Sequence, residues 1–323
     1  MKVEYKVKRY NPESDVALES FDTYVVELDQ AATVLDGLIK IREEVDNTLT
    51  LRCSCRSAIC GSCAMRINGQ AMLACNTKVS DFEENGNIKL LVEPPGNMPV
   101  IKDLVVDFVP FWSKVKSVDP WLKSSHPPKY MEEHIASNES MLHLSGVMGC
   151  IMCGACVSDC TVLEVDKSFL GPAALAKAYR FVSDPRDDST KFRLKALEKP
   201  SGMWDCTRCM QCVEVCPKGV DPMGRIMKLR DFAIQDGYKN TYGAKHTAVF
   251  TDSVKNTGWL NEFQLPLRTF GIFNVLKLLG LLPILLDALV SRKVPPVFHH
   301  KLPSVSSIQR IFKKVDLQIT KRE

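Results

Sequence analysis

The sequence has no unbroken apolar run of membrane-spanning length. A spanning helix needs roughly 20 consecutive apolar residues, and the most apolar stretch, residues 265–290, is broken by Arg268, Asn274, Lys277, Pro283 and Asp287. That pattern predicts two short helices flanking Pro283. They would dock on a partner subunit, lie at a membrane surface, or complete the chain's own core. Also missing are a GxGxxG dinucleotide loop, a Walker loop and a GxSxG elbow, so no protein group is set up for bond-breaking chemistry. The first residues, MKVEYKVKRYNPESD, lack the apolar core and small-residue cleavage site of a secretory signal. Charge of one sign is scarce as well: 42 Lys/Arg against 38 Asp/Glu leave +4 over 323 residues. This balance implies no nucleic-acid partner. The charge is uneven, however. From Ser291 onward eight Lys/Arg stand against two acids, a local +6.

Cysteine is abundant, at 13 residues. Without an export signal, this number argues for a reducing compartment, where the thiolates act as metal ligands and not as a disulfide framework. The length suits two domains. Residues 1–108 read as strand-rich. Val3, Tyr5 and Val7 alternate with charged residues, as do Tyr24, Val26 and Leu28. Thr33 can cap a helix with the apolar stripe Val34, Leu35, Leu38, Ile39 and Val45. Strands are expected at 48–51, 64–67, 70–74 and 88–92, with Asn68-Gly69 as a hairpin turn. Residues 109–130 read as a linker, 131–240 as a helical domain with helices around 173–181 and 224–232, and 241–323 as an extension with amphipathic helices and a basic tail.

Twelve cysteines fall into three groups. Cys55-x4-Cys60-x2-Cys63, with Cys75 after eleven further residues, has the plant-type [2Fe–2S] spacing. The small residues Ala58, Gly61 and Ser62 let backbone N–H groups approach the sulfurs. Cys53 is spare. Cys150-x2-Cys153-x2-Cys156-x3-Cys160 recurs as Cys206-x2-Cys209-x2-Cys212-x3-Cys216-Pro217. This is the two-cluster run in which the fourth cysteine of each copy ligates the other cluster. Cys150, Cys153, Cys156 and Cys216 are thus expected on one [4Fe–4S] cluster, and Cys206, Cys209, Cys212 and Cys160 on the other. A zinc-stabilised interaction protein is the alternative from another class. Its ligands usually come as paired CxxC knuckles, which the long first loop fits poorly. Three clusters in one chain serve to move single electrons over a distance.

The segments SCRSAICGSCAMRINGQAMLAC, PVIKDLVVDF, FLGPAALAKAYRFVSDPRD and VCPKGVDP, in that order, resemble the iron–sulfur subunit of succinate dehydrogenase and fumarate reductase. The resemblance covers roughly residues 1–235. It implies an α+β chain, with an N-terminal β-grasp (plant-type ferredoxin) domain followed by an α-helical two-cluster ferredoxin domain. It also implies an FAD flavoprotein partner that interconverts succinate and fumarate, on the cytoplasmic side of the membrane. Two features depart from the family's pattern. Common members lack a cysteine where Cys209 stands and hold a [3Fe–4S] cluster there. They also follow the fourth cysteine with Pro-Ser and aromatics, and the first cysteine of the next group with His. These groups line a quinone pocket. Here Cys160 is followed by Thr161-Val162-Leu163-Glu164, and Cys206 by Thr207. The tail LKLLGLLPILLDALVSRKVPPVFHHKLPSVSSIQRIFKKV resembles that of the small iron–sulfur subunit of heterodisulfide reductase. That implies a CCG-domain partner in place of, or beside, a membrane anchor linked to a menaquinone-like quinone. A thiol:fumarate or heterodisulfide-type reductase is the alternative complex.

Overall fold

The computed structural model describes residues 1–13, 19–125, 129, 132–296 and 300–320, with the last five of these as backbone alone. They form two compact units, residues 1–232 and 233–323. The expected domain start at Met131 lies outside the described residues.

The first unit opens with strands β1 (Lys2–Arg9) and β2 (Ser20–Glu27), which pair antiparallel from Lys2↔Glu27 to Arg9↔Ser20. The alternation read from the sequence decides their faces: Val3, Tyr5 and Val7 are fully buried, with Tyr24 and Val26 beside them. Helix α1 (Val34–Lys40) follows. Its N-cap Thr33 accepts from the Asp36 amide while the Asp36 carboxylate accepts from the Thr33 amide, a capping box. The helix then widens into a π-turn, Ile41–Val45, closed by Asp46 N–H to the Ile41 carbonyl at 2.8 Å. The extra residue in that turn swings Val45 out of the apolar stripe, and it is 59% exposed instead of packed as the periodicity predicts.

Residues 48–51 are not the strand their composition suggests. They are held by side chains: the buried Asp103 carboxylate accepts from the Thr50 and Tyr10 amides and from Arg9 Nε at 2.9–3.1 Å. Strands β3 (Ala64–Ile67) and β4 (Gln70–Leu73) form the expected hairpin. Asn68 and Gly69 both have positive φ, 49° and 84°, as a two-residue primed turn requires. The short β5 (Glu83–Glu84) and β6 (Asn87–Glu93) complete a six-stranded sheet ordered β2-β1-β6-β3-β4, with β5 paired to β6. β1 and β6 run parallel at its centre, with α1 on the core side. This is the β-grasp arrangement. A two-stranded ribbon, β7 (Val100–Lys102) and β8 (Val105–Val106), ends the strand-rich part.

The stretch read as a linker opens with a helix, α2 (Val109–Lys116), started by Pro110 in its first turn and buried through Phe111 and Val115. Farther on, Arg193 is buried against Asp187. It also donates to the carbonyls of Val118, Asp119 and Trp121, so one guanidinium ties the connecting stretch down. Short helices α3 (Asn138–Leu142), α4 (Ala155–Ser158) and α5 (Thr161–Val165) lead to α6 (Gly171–Val182), the most buried helix of this part. Then come α7 (Thr190–Leu197), α8 (Gln211–Glu214) and α9 (Pro222–Gln235).

The second unit is helical: α10 (Tyr242–Thr257), α11 (Gln264–Phe270), α12 (Val275–Leu279), α13 (Leu282–Val290) and α14 (Val305–Thr320). The apolar stretch therefore carries three helices, not two. Pro283 does not separate helices but sits in the first turn of α13, where its missing N–H costs nothing. No helix among the described residues is long and apolar enough to cross a membrane.

Candidate iron–sulfur sites

The first cysteine group occupies the loop ahead of β3. Arg56, Ala58 and Gly61 all take left-handed φ there, at 53°, 55° and 73°. This curls the backbone so that its amides point inward at sulfur. The Ser57, Ile59 and Cys60 amides donate to Cys55 Sγ at 3.4, 3.3 and 3.2 Å. Ala58 N–H donates to Cys75 Sγ at 3.3 Å, and Ser62 N–H to Cys60 Sγ at 3.5 Å. Cys75 reaches the loop from the 3-10 turn after β4. Hydrogen bonding, first from the Ser62 hydroxyl, holds the Cys60 thiol down at about 6. Burial pushes Cys63 up to about 12. Cys53 packs against the edge of the β-grasp core.

The second and third groups repeat in backbone as well as in sequence. Each is preceded by a 3-10 turn, Val147–Gly149 or Met203–Asp205. In each, the residues flanking the second cysteine are left-handed: Met152 and Gly154 in one copy, Arg208 and Met210 in the other. A four-residue helix then follows, α4 or α8. Non-glycine residues at positive φ cost free energy and persist where a site demands the shape.

The tertiary structure then exchanges the fourth cysteines. One cavity is walled by Cys150, Cys153, Cys156 and Cys216. A second is walled by Cys206, Cys209, Cys212 and Cys160. Burial raises the Cys156 thiol far above its usual range, and neighbouring Cys153, Cys150, Cys212 and Cys216 add to the effect. Cys212 is pushed up to about 12 by burial and by Cys206, Cys160 and Cys209. Burial raises Cys160, with Cys209 and Cys206 as its charged neighbours. Burial also acts on Cys209, but hydrogen bonds from Thr161 and Gln211 outweigh it and lower its thiol. Four crowded thiols ionise together only against compensating positive charge, which iron supplies. Among the described residues no three His, Cys, Asp or Glu side chains converge on a single ion. Each cavity gathers four cysteines in the register of a two-cluster run, three from one loop and one from the other. The donor set and the cavities thus fit iron–sulfur clusters.

Residues outside the cysteine pattern hold these loops, and no spacing rule identifies them. Asp159, the neighbour of Cys160, accepts from Arg66 Nε at 2.9 Å and from the Ala71 amide at 2.7 Å, both on the β3–β4 hairpin. Asn97 Nδ2 donates to the carbonyls of Val157, Ser158 and Cys160, each at 3.0 Å. The buried Arg230 on α9 donates to the carbonyls of Met203, Trp204 and Cys206. At Gly61 the first cysteine loop packs directly on the second. A Cβ added there would lie 2.7 Å from Cys153 Cβ and 2.9 Å from Cys153 Cα. The only signal in the sequence was the run of small residues in the first loop.

A model of the 2Fe-2S iron-sulfur cluster binding domain matches residues 4–113, and one of the 4Fe-4S dicluster domain matches residues 146–220. The fumarate reductase iron-sulfur subunit of Mycobacterium tuberculosis (strain CDC 1551 / Oshkosh) is 42% identical over 226 residues, 70% of this chain and 90% of that protein. The mitochondrial succinate dehydrogenase (ubiquinone) iron-sulfur subunit 3 of Arabidopsis thaliana is 38% identical over 233 residues, 71% of this chain and 74% of that protein. A chain of the Mycobacterium smegmatis Sdh1 complex, solved in its apo form, shares the fold with a TM-score of 0.65 and 24% identity, covering 73% of this chain and 97% of that one. With clusters of the 2Fe–2S and 4Fe–4S kinds in its two matched domains, the chain belongs to the family of electron-transferring iron–sulfur subunits of succinate dehydrogenase and fumarate reductase.

Proposed function

We propose that the chain carries three clusters in series. Cys55, Cys60, Cys63 and Cys75 hold [2Fe–2S]. Cys150, Cys153, Cys156 and Cys216 hold one [4Fe–4S], and Cys206, Cys209, Cys212 and Cys160 hold a second. The observation that carries this reading is the exchange of Cys160 and Cys216 between the two cavities, the crossing expected of a two-cluster run. The clusters supply one-electron redox chemistry; the chain's own residues set the path. Gly61 lets the first loop touch Cys153. Asp159 and Asn97 lock the Cys160 segment to the β-grasp part. Arg230 fixes the carbonyl of Cys206. Amides aimed at Cys55, Cys60 and Cys75 favour the more negative, reduced state of the first cluster.

The partner at one end is an FAD flavoprotein, and at the other a CCG-domain or membrane-anchor subunit linked to a menaquinone-like quinone. The complex sits at the cytoplasmic face of the membrane, with this chain peripheral. Cys209 as a full ligand makes the last cluster [4Fe–4S]. EPR of intact anaerobic protein tests this: two interacting [4Fe–4S] signals and one [2Fe–2S] signal are expected, and a [3Fe–4S] signal would overturn the Cys209 assignment. Cys216→Ser should remove the Cys150 cluster and spare that of Cys206. Loss of the Cys206 cluster alone would refute the exchange. A native pull-down identifies the partners; a haem-type anchor without a CCG subunit would remove the CCG proposal.

A further inference from the structure

The matched domains end at residue 220, and the second unit, residues 233–323, lies beyond them. It presents a run of apolar side chains to solvent. In the turn before α12, Ile272 and Phe273 are 65% and 92% exposed, and Leu276 on α12 is 84% exposed. On α13, Leu282, Ile284, Leu285, Leu286, Leu289 and Val290 are all exposed. They cover a broad arc of the helix with Ile284 beyond it. Leu282, Leu285, Leu286 and Leu289 form the i, i+3, i+4, i+7 stripe that a groove-bound helix also shows, but Ile284 and Val290, 66% and 86% exposed, widen the apolar face beyond it. Exposed apolar area of this extent marks an interaction surface.

Charge selects the occupant. Asp287 is the one acid between residues 265 and 290, and Arg292 and Lys293 follow α13 directly. Farther on, Lys301, Arg310, Lys313 and Lys314 are exposed, the last three on α14. The local +6 from Ser291 onward contrasts with about −2 for the rest of the chain. At 1.5 Å per residue, nine-residue α13 is about 14 Å long, half the thickness of a hydrocarbon core. It can lie in an interface but not cross it.

We propose that α12, α13 and the turn before them insert into the interfacial layer of an anionic lipid surface. Phe273, Leu276 and Val290 reach the acyl boundary, and Arg292, Lys293 and the cations of α14 meet the headgroup charge. This extends the peripheral membrane location proposed above by assigning the contact to this chain's own second unit. Its test reads no electron transfer, so its failure leaves the cluster assignment standing.

The purified full chain is floated with vesicles of phosphatidylcholine alone and of phosphatidylcholine with phosphatidylglycerol. Two double variants are compared, Phe273→Asp/Leu276→Asp and Arg292→Glu/Lys293→Glu. All four positions are exposed; unchanged far-UV circular dichroism verifies the helices of the second unit, and unchanged visible cluster absorbance the first. Wild type should float with the anionic vesicles and detach progressively as salt is raised. The bound fraction should fall by about tenfold or more in the Asp variant, and several-fold in the Glu variant. Absence of flotation, or equal flotation of either variant, overturns the proposal. So does protection of residues 272–290 by a co-purifying subunit in the absence of lipid, which would assign the face to a protein.

Discussion

Replacing Gly61 by alanine tests whether the first two cysteine loops touch as described. The new Cβ meets two separate costs. At φ +73° an L side chain is strained by about 1–2 kcal/mol. The methyl would also lie 2.7 Å from Cys153 Cβ and 2.9 Å from its Cα, against an ordinary carbon contact of roughly 3.5–4.0 Å. Backbone and Cβ cannot swing aside like the end of a flexible side chain, so one loop must retreat by about 1 Å, an overpacking cost of about 1–3 kcal/mol. The total is about 2–5 kcal/mol. Gly69→Ala separates the two costs. Gly69 has φ +84° with nothing within 4 Å of its added Cβ, so it suffers the strain alone, about 1–2 kcal/mol. Each kcal/mol lowers Tm by about 2–4 °C in a unit of this size. Thermal scans of the holoprotein at one fixed rate should therefore rank Gly61→Ala below Gly69→Ala by several degrees. Stopped-flow reoxidation should slow in Gly61→Ala only, because tunnelling between clusters weakens steeply with separation. If the two variants melt together and pass electrons equally fast, the contact is not as described.

The Arg66–Asp159 pair should show coupling of about 1–3 kcal/mol in a double-mutant cycle of Arg66→Met and Asp159→Asn, read from denaturant unfolding; independent effects would show that the hairpin is not latched through this pair. Arg230→Gln should loosen the Met203–Cys206 turn. Iron analysis and EPR should show the Cys206 cluster lost first, with the [2Fe–2S] signal intact; simultaneous loss of all signals would contradict a local role. Asp184 is fully buried. Burial pushes its carboxyl up, but hydrogen bonds from Arg186 and Arg180 outweigh that and hold it well below the usual carboxylate range. Its folded pKa is thus depressed, so its contribution is complete above the unfolded value of about 4 and is lost as pH falls through the folded one. Asp184→Asn should cost about 2–4 kcal/mol at pH 7, since Arg186 is partly in water. The gap in Tm to wild type should narrow below about pH 4, and a gap that widens there would refute the sign.

Cysteine spacing decided most of the candidate sites without a structure. A C-x4-C-x2-C loop and a repeated C-x2-C-x2-C-x3-C run bring three thiols together within one turn of chain, and local spacing is all such a turn needs. The alternation in 3–7 and 24–26 and the Asn68-Gly69 turn were legible for the same reason: each depends on neighbours two to four residues away. Val45 and residues 48–51 were not. A π-turn is invisible to a 3.6-residue period, and a segment held by Arg9 and Asp103 looks like a strand when those partners are unseen. Pro283 read as a boundary, although a first-turn proline starts a helix as readily as it ends one. The repeated run already paired Cys216 with the Cys150 group and Cys160 with the Cys206 group, and one cavity gathers each set; only the tertiary structure tied Asp159 to Arg66 and brought Gly61 against Cys153. These contacts span tens of residues of chain, and burial and packing, which no local pattern records, decide them.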